Sequence, residues 1–418
     1  MRLIETSVFS ALTTGVRLIS SLVINKAVSV YLGPSGLGII GQFQNIFQIA
    51  QTISQGAFNA GVTKYASEYR DSQFDLKALV STALTATLIC SLSVALVAIV
   101  FSLPLATHFF HSPEHRAVFI LLGVVIAFVA VNNLILSVLN GLGEFRLFFQ
   151  LSILGAVYSL VFSTGLILYY GLNGALIAVA SNQAVMCFVS LYFVLRRLNF
   201  SSYVSMTVFS NDQLSNLLKY SSLAITSAVL YQGYFMYTRN LLLENYNWSV
   251  VGIWQGMQSL SAAFSGLFFG ILSTYYLPRL SELNNQVPIM KELKNGLLLF
   301  IPALLSIVFF VYIFREDIVL LLFTRRFLSM EALFLPQLAG DFLKISAFLF
   351  STILTAKAKI RIAITSEVFF YGILFLLTAV LVPKFGPVGA AYAYFLHYLL
   401  FLVFAVFIFF HIKNELPR

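Results

Sequence analysis

The chain consists of long apolar segments joined by short polar connections. A helix that spans a bilayer needs about 20 mostly apolar residues, and twelve segments reach this length. The pattern therefore predicts an all-α polytopic membrane protein with twelve transmembrane helices. The predicted spans are residues 6–31, 37–66, 76–103, 116–140, 145–169, 173–197, 212–242, 249–277, 292–314, 333–355, 360–382 and 387–411.

Parts of this pattern occur twice at a nearly constant separation. The matching pairs are residues 36–69 with 250–283 at a shift of 214, and residues 171–175 with 386–390 and Arg146 with Arg361 at a shift of 215. Internal repeats in a membrane protein indicate a transporter with two lobes and its site between them. We expect six-helix lobes at residues 1–208 and 209–418, around a central cavity. Because six is an even number, both lobes insert in the same orientation and the repeat is parallel.

The composition excludes a soluble globular protein, since 59% of the residues are hydrophobic and 10% are charged. The short loops leave no room for a soluble catalytic domain, so we do not expect an enzyme. At the ends of the spans and in the loops, sixteen Lys and Arg residues fall on the side of the N-terminus and five on the other side. This asymmetry predicts that both termini are cytoplasmic. It also accounts for most of the formal net charge of +9, so we expect no nucleic-acid partner.

The sequence gives no sign of a metal site or a disulfide framework. His108, His111 and His115 lie close together in an outer loop, but no cysteine accompanies them. We therefore expect neither a metal nor a cofactor. Cys90 and Cys187 both fall inside predicted spans and do not indicate a disulfide.

Four further cationic residues, not counted with the span ends and loops, lie within the predicted spans. A charged side chain at the centre of a membrane helix costs about 2.5–3.5 kcal/mol on insertion scales, so these residues must face water, a partner or a ligand. For Arg17 the alternative is a structural role with hydrogen bonds to neighbouring backbone, and for Lys26 it is snorkelling to the outer interface. The candidate residues for binding an anionic group are Arg17, Lys26, Arg239 and Lys344.

Two acidic residues within the spans, Asp341 and Glu367, are candidates for proton coupling or charge balance. Asp341 and Lys344 are one helical turn apart on one face, so mutual neutralisation is an equal alternative for this pair. Four cations set against two acids leave a surplus of two positive charges inside the spans. An anionic ligand with about two charges would balance this surplus.

The second predicted span carries an amide stripe, with side chains at spacings of four, three, four and four residues. Its members are Gln44, Gln48, Gln51, Gln55 and Asn59. Five amides on one face of a membrane helix do not point at lipid. They either form hydrogen bonds between helices or line a wet wall facing a hydroxyl-rich solute, and we favour the wall. In the second copy, Gly252-xxx-Gly256 and Gly266-xxx-Gly270 predict close helix contacts.

Five motifs, spread over both predicted lobes, resemble those of a known family. They are Tyr31-Leu-Gly-Pro-Ser-Gly-Leu-Gly38, Gly61-Val-Thr-Lys-Tyr65, Val251-Gly-Ile-Trp-Gln-Gly256, Tyr276-Leu-Pro-Arg-Leu-Ser281 and Gly340-Asp-Phe-Leu-Lys344. The chain resembles the Wzx-type lipid-linked oligosaccharide flippases of the multidrug/oligosaccharidyl-lipid/polysaccharide exporter superfamily. Within that family it is most similar to the branch that carries subunits of enterobacterial common antigen or O-antigen.

The resemblance implies that an undecaprenyl-diphosphate-linked glycan moves from the cytoplasmic to the periplasmic leaflet of a bacterial inner membrane by alternating access. It implies that the six charged residues named above match family positions, with Arg17 in place of a lysine. It supplies no catalytic residue. The implied partners are the glycan lipid, the bilayer, and the polymerase and chain-length proteins of the same pathway. The implied transport unit is a monomer.

Two other functional classes are open. A cation-coupled drug or small-molecule antiporter of the same fold would have acids dominating its cavity, whereas the spans of this sequence have the opposite sign. A membrane-embedded glycan polymerase or glycosyltransferase would be expected to have a large periplasmic loop or a pair of loop carboxylates. The sequence has neither feature.

Overall fold

The computed structural model describes residues 3–197, 208–272, 276–357 and 359–415. Within these ranges the chain is mainly α-helical, with short 3₁₀ segments at Pro113–His115 and Arg325–Met330, and it contains no strand. The prediction of an all-α membrane protein is confirmed. The helices are α1 (Leu3–Tyr31), α2 (Gly33–Ser54), α3 (Asn59–Glu68), α4 (Gln73–Val100), α5 (Ser102–Phe110), α6 (Arg116–Gly141), α7 (Phe145–Arg197), α8 (Asn211–Asn245), α9 (Trp248–Ile271), α10 (Leu277–Glu282), α11 (Gln286–Ile313), α12 (Arg315–Leu322), α13 (Glu331–Ala356) and α14 (Ile360–Asn414).

The two longest helices each contain two of the predicted spans. α7 runs for 53 residues and α14 for 55, far more than the roughly 20 that cross a bilayer. Each is interrupted at one glycine with a positive φ, which is 56° at Gly171 and 60° at Gly386. Only glycine adopts this conformation without steric cost. The two glycines are equivalent in the repeat, since 386 − 171 = 215. With these kinks, the described part of the chain contains twelve long helical segments.

The long helices differ in how apolar they are. Six of them, including α7 and α14, are long and apolar enough to cross a membrane by composition alone. α1, α2, α8 and α9 fall outside this group because polar side chains are spaced along them. A polar group that faces lipid is costly. The polar side chains spaced along these four helices therefore need partners other than lipid, as do the isolated polar residues of the six apolar helices.

Side-chain caps define the starts of two helices. The Ser72 hydroxyl accepts a hydrogen bond from the Asp75 N–H (3.4 Å) at the start of α4. Asn247 Oδ1 accepts from the N–H groups of Ser249 (3.0 Å) and Val250 (3.1 Å) at the start of α9. Such caps pair backbone donors that a helix leaves unpaired in its first turn.

The span predicted at residues 37–66 is not one helix, because α2 and α3 are separate. Between them Gly56 has a φ of 58° and Ala57 a φ of 55°. The Ala57 N–H donates to the carbonyl of Thr52 (3.1 Å), which closes the end of α2 as in a Schellman cap. Apolar residues continue on both sides of the break, so hydrophobicity alone gave no signal for it.

The chain forms two compact units, which divide inside α8. Unit 1 comprises Met1–Tyr31 and Ile39–Gln232, and unit 2 comprises Leu32–Gly38 and Gly233–Arg418. Leu217, on the first half of α8, is buried in one hydrophobic cluster with Phe58 and Leu79, which places that half in unit 1. The lobe boundary at 208/209 stays a prediction, and residues 198–207 just before it lie outside the described ranges.

Each unit has its own hydrophobic core. In unit 1, Val62 of α3, Leu76 of α4 and Leu134 of α6 belong to one buried cluster. In unit 2, Leu349 of α13 and Ile412 of α14 are buried together with residues of α11. These cores include parts of α6, α13 and α14, which carry some of the polar side chains described below.

Charged residues at the helix ends form exposed pairs. Lys359 Nζ donates to Glu415 Oε2 at 2.9 Å, and this bond together with the lysine charge lowers the pKa of Glu415. Lys64 lies 3.5 Å from Glu68 one turn along α3. Exposed pairs of this kind contribute little to stability, so the fold does not depend on them.

The first turn of α2 packs closely on α9 within unit 2. A Cβ atom at Gly252 would lie 1.7 Å from the carbonyl oxygen of Pro34, so this approach requires glycine. The predicted close contact at Gly252-xxx-Gly256 is confirmed. The one predicted at Gly266-xxx-Gly270 is wrong, because a Cβ at either position would have no described heavy atom within 4 Å.

We expect Gly252→Ala to lower the melting temperature of the purified protein in detergent, because the added methyl group would overlap the Pro34 carbonyl. Overpacking of this kind costs about 1–3 kcal/mol. Gly266→Ala, on the same helix, is the matched control. Its methyl group meets open space, and alanine is the better helix former by about 1 kcal/mol. Equal melting temperatures for the two variants would contradict the close contact.

Candidate functional site

The first group of polar side chains lies in unit 1, on α2, α6 and the second half of α7. Gln183 Oε1 accepts hydrogen bonds from Gln51 Nε2 (2.7 Å) and from Asn133 Nδ2 (3.0 Å). We call Gln51, Asn133 and Gln183 the amide cluster. Two accepted bonds occupy both lone pairs of the Gln183 carbonyl. The three side chains therefore fix one another's orientation.

The predicted amide stripe is spread over three environments. Gln51 belongs to the amide cluster, whereas Gln44 and Gln48 are exposed. Gln55 Oε1 accepts a hydrogen bond from Asn59 Nδ2 (2.6 Å) across the break between α2 and α3. The interpretation as hydrogen bonding between helices applies to Gln51, and a wall facing a solute stays a prediction.

The second group of polar side chains lies in unit 2, around the fully buried carboxylate of Asp341. Asp341 Oδ1 accepts hydrogen bonds from Ser261 Oγ (2.6 Å), the Tyr394 hydroxyl (2.8 Å) and Ser265 Oγ (3.5 Å). Oδ2 has no hydrogen-bond partner among the described residues. We call Ser261, Ser265, Asp341 and Tyr394 the acid cluster, and its three hydroxyls all donate to one oxygen of the acid.

A chain of amide donors leads into the acid cluster. Gln258 Nε2 donates to Gln337 Oε1 (3.1 Å), and Gln337 Nε2 donates to Ser261 Oγ (3.1 Å). Ser261 in turn donates to Asp341. All these residues are buried. Hydrogen bonds in such a chain polarise one another inside a low-dielectric interior. The amides of Gln258 and Gln337 therefore help to stabilise negative charge on Asp341 through Ser261.

Lys344 is held by aromatic rings beside the acid cluster. Its Nζ lies 5.3 Å from the ring centroid of Phe269, 5.9 Å from that of Tyr394 and 5.8 Å from that of Tyr398. A ring face attracts an ammonium group. Lys344 and Asp341 form no direct ion pair in the part of the chain that the structure describes. They share Tyr394 instead, which donates to the acid and presents its ring to the lysine.

Arg239 occupies a separate site in unit 2, where it is 1% exposed. Its guanidinium lies 5.5 Å from the ring centroid of Trp254 and 5.9 Å from that of Phe235. Arg239 Nη2 donates to Gln255 Oε1. Trp254 and Gln255 belong to the motif at residues 251–256, so this motif encloses the arginine. A planar guanidinium suits stacking of this kind better than an ammonium does.

The remaining predicted site residues have more open surroundings. Arg17 is exposed on α1, and Lys26 is half-buried further along the same helix. Glu367 is half-buried near the start of α14. Within unit 2, the structure thus gives Arg239 and Lys344 different neighbours.

Several residues of the two clusters were not predicted. A signal existed for Asn133 and Gln183, because Asn132-Asn133 and Asn182-Gln183 are adjacent amides within predicted spans. Polar pairs in a span need partners inside the protein. Tyr394 gave no signal, since it is one of 20 tyrosines in the chain. Ser261 gave none either, because serine pairs readily with backbone in a helix.

Comparisons with known proteins agree on the class of protein. Residues 5–284 match the family model described as polysaccharide biosynthesis protein. The chain is 29% identical over 402 residues to proteins named Lipid III flippase from Escherichia coli (strain K12) and from Shigella flexneri. Each alignment covers 94% of this chain and 95% of the relative. The names of these relatives describe transport rather than catalysis.

Solved structures confirm the predicted fold. An inward-facing multidrug resistance transporter of the MATE family, in the MOP superfamily, is similar with a TM-score of 0.80 at 14% identity, covering 98% of this chain and 99% of that chain. The lipid II flippase MurJ, in an inward closed conformation, is similar with a TM-score of 0.75 at 16% identity, covering 98% and 90%. At such identities the similarity shows the fold alone.

We expect Tyr394→Phe to destabilise the protein by about 1–3 kcal/mol, because the buried acid loses a hydrogen-bond donor. The ring that contacts Lys344 is retained. Thermal unfolding of the purified variant in detergent measures the effect. Tyr392→Phe, two residues away and 46% exposed, is the matched control and should stay within about 0.5 kcal/mol of the parent. A Tyr394→Phe protein as stable as this control would show that the hydroxyl does not support Asp341.

Proposed function

Because the chain belongs to the polysaccharide biosynthesis protein family, we propose that it is a flippase for a lipid-linked oligosaccharide. Its substrate is an undecaprenyl-diphosphate-linked glycan, a subunit of enterobacterial common antigen or of O-antigen. The protein moves this lipid from the cytoplasmic to the periplasmic leaflet of the inner membrane by alternating access. The relatives named Lipid III flippase support this proposal along nearly the whole chain.

The observation that carries the proposal is the sign of the charge inside the spans. Four cations and two acids leave a positive surplus there. A diphosphate cannot cross hydrocarbon unaided, because an ion loses its hydration in a medium of low dielectric. We propose that Arg17, Lys26, Arg239 and Lys344 provide the positive charge that this group needs in transit. The lipid tail stays in the bilayer throughout.

The geometry of Lys344 fits this role. Three aromatic rings favour its charged form, and the nearby acid of Asp341 is bonded to hydroxyls rather than to the lysine. The charge of Lys344 is therefore not cancelled by a direct ion pair. Arg239, enclosed by Trp254 and Phe235, contributes a positive field from a fixed position.

The amide stripe is the proposed contact surface for the sugars. Gln44 and Gln48 are exposed on α2, and amides both donate and accept hydrogen bonds, as sugar hydroxyls do. Weak contacts of this kind suit a transporter, which must also release its substrate. Asp341 and Glu367 are the proposed groups for ion coupling or charge balance.

The remaining parts of the proposal concern topology and partners. We propose that both termini face the cytoplasm, as the distribution of Lys and Arg favours. The two six-helix lobes correspond to residues 1–208 and 209–418. The transport unit is a monomer, and the polymerase and chain-length proteins of the same pathway receive its product.

A cation-coupled antiporter is the second candidate function. The buried Asp341 is the kind of group that binds a coupling ion, and the MATE transporter shares the fold. The net positive charge of the spans argues against a cationic cargo. The likeness to the MATE transporter, at 14% identity, does not extend to substrate.

We expect single replacement of the four cations to block export in a strain that depends on this gene. The variants are Arg17→Gln, Lys26→Gln, Arg239→Gln and Lys344→Gln. A charged hydrogen bond is worth about 1.5–3 kcal/mol, so export should fall about tenfold or more. Surface glycan and the accumulated lipid-linked precursor are measured together, at matched membrane levels of the protein.

Lys384→Gln is the control for these variants, because Lys384 is exposed and belongs to none of the proposed sites. It should export normally. Precursor accumulation at normal protein level supports the cationic path. Normal export by all four variants would refute the proposed role of the charges, and failure of the parent protein to support export would refute the flippase proposal itself.

The topology is tested with membrane-impermeant maleimide in intact spheroplasts, using a chain in which Cys90 and Cys187 are serine. Glu114→Cys, in the loop after α5, should react without permeabilisation because the proposed orientation places it outside. Asp71→Cys, between α3 and α4, should react only after permeabilisation. The reverse pattern would overturn the proposed orientation.

A further inference from the structure

We propose that the amide cluster of unit 1 is a binding subsite for the uncharged sugars of the transported glycan, with Gln183 as a residue that determines which glycan is carried. This inference rests on the proposed flippase function and assigns one part of its substrate to one place in the chain. The residues Asn133 and Gln183 extend the proposed sugar contacts from α2 to α6 and α7.

The hydrogen bonds within the cluster leave a defined set of polar atoms available. Gln183 Oε1 is filled by its two donors, and Gln183 Nε2 donates to no described residue, so its two protons are available to another partner. Gln51 Oε1 and Asn133 Oδ1 make no hydrogen bond to a described residue. Asn133 and Gln183 are half-buried rather than sealed in the core. The cluster therefore presents both donors and acceptors.

This mixture identifies the chemical class of the ligand. A phosphate oxygen only accepts hydrogen bonds, so a phosphate site needs donors and positive charge. A sugar hydroxyl donates and accepts, and an acetamido group does the same through its N–H and C=O. The mixed amide set matches these groups.

The three helices that carry the cluster have no charged residue of their own near it. α2 contains no charged residue, and α6 has only Arg116, at its first position. In the second half of α7, the charged residues are Arg196 and Arg197 at the end of the helix. A neutral polar site in such helices favours an uncharged ligand, because a charged one would be desolvated without a counter-charge.

The second copy of the repeat carries different chemistry on the corresponding helices. Gln51 corresponds to Ser265 at the shift of 214, and Asn182 and Gln183 correspond to His397 and Tyr398 at the shift of 215. α13 begins 215 residues after α6. At that shift, Asp341 and Lys344 are aligned in sequence with two apolar residues of α6. The repeated fold therefore accommodates a charged group in one copy and a neutral group in the other.

The difference between the two copies indicates whether the amide cluster serves ligand binding or helix packing. If the fold required a particular polar network between these helices, the two copies would retain similar side chains. Instead, unit 2 holds a buried acid and an aromatic-bound lysine, while unit 1 holds three amides. We infer that the corresponding clusters serve different parts of one amphipathic substrate: the amide cluster binds the neutral sugars, whereas Lys344 acts on the diphosphate together with the other proposed cations.

The test uses the full-length protein reconstituted in liposomes, with two probe lipids. One is undecaprenyl diphosphate carrying a neutral oligosaccharide, and the other carries a single sugar. We expect Gln183→Leu to lower the flipping rate of the oligosaccharide lipid at limiting concentration about three- to tenfold, as the loss of one or two uncharged hydrogen bonds predicts. The single-sugar lipid retains the diphosphate, so its rate should change less than about twofold.

Two further variants keep the result interpretable. Gln183→Asn retains the amide but shortens the side chain, so it should show the same selective loss even where Gln183→Leu folds poorly. Gln150→Leu, at an exposed glutamine of the same helix, should flip both lipids like the parent. A melting temperature for each variant separates misfolding from altered recognition.

The outcomes are distinct. A selective loss for the oligosaccharide lipid supports the subsite. Equal losses for both lipids, or no loss for either, would overturn it, since the cluster would then be structural or uninvolved. Failure of the parent protein to flip either lipid would instead refute the proposed function.

Discussion

The bilayer core offers no water to a polar side chain, and the arrangement of this protein depends on that constraint. An unpaired polar group in hydrocarbon costs several kcal/mol, so polar residues in the spans must find partners within the protein. Some of these residues meet this requirement in local groups of side chains: the amide cluster in unit 1, and the acid cluster with its chain of amide donors in unit 2. Apolar surface then remains for contact with lipid.

Aromatic rings stabilise two of the cations in the spans without neutralising their charge. A carboxylate partner would neutralise Lys344 and leave little field for a ligand, whereas ring faces stabilise the ammonium without cancelling its charge. Phe269, Tyr394 and Tyr398 serve Lys344 in this way. Trp254 and Phe235 serve Arg239. Positive charge can thus persist in an apolar interior, as the proposed transport of a diphosphate requires.

The two copies of the repeat carry different polar clusters on corresponding helices. The kinks at Gly171 and Gly386 stand at equivalent positions and share the same unusual backbone conformation, so the two long helices are interrupted at matching points of the repeat. The side chains that project from corresponding helices differ in charge. Matching kinks with different polar clusters suit the proposed carrier, whose substrate has a charged group, neutral sugars and a lipid tail that each need different contacts.

The sequence alone determined the membrane class, the number of long helical segments and the repeat. It also showed the resemblance to lipid-linked oligosaccharide flippases, with which the family match agrees. These properties depend on local hydrophobicity and on motifs, both of which are readable along the chain. The tertiary structure decided which polar residues meet. Gln51 and Gln183 are 132 residues apart, and Ser261 and Asp341 are 80 apart. Periodicity places a side chain on a face of its helix, but a hydrogen bond also needs the facing helix, its rotation and its depth. Only the packing of distant helices fixes those three quantities.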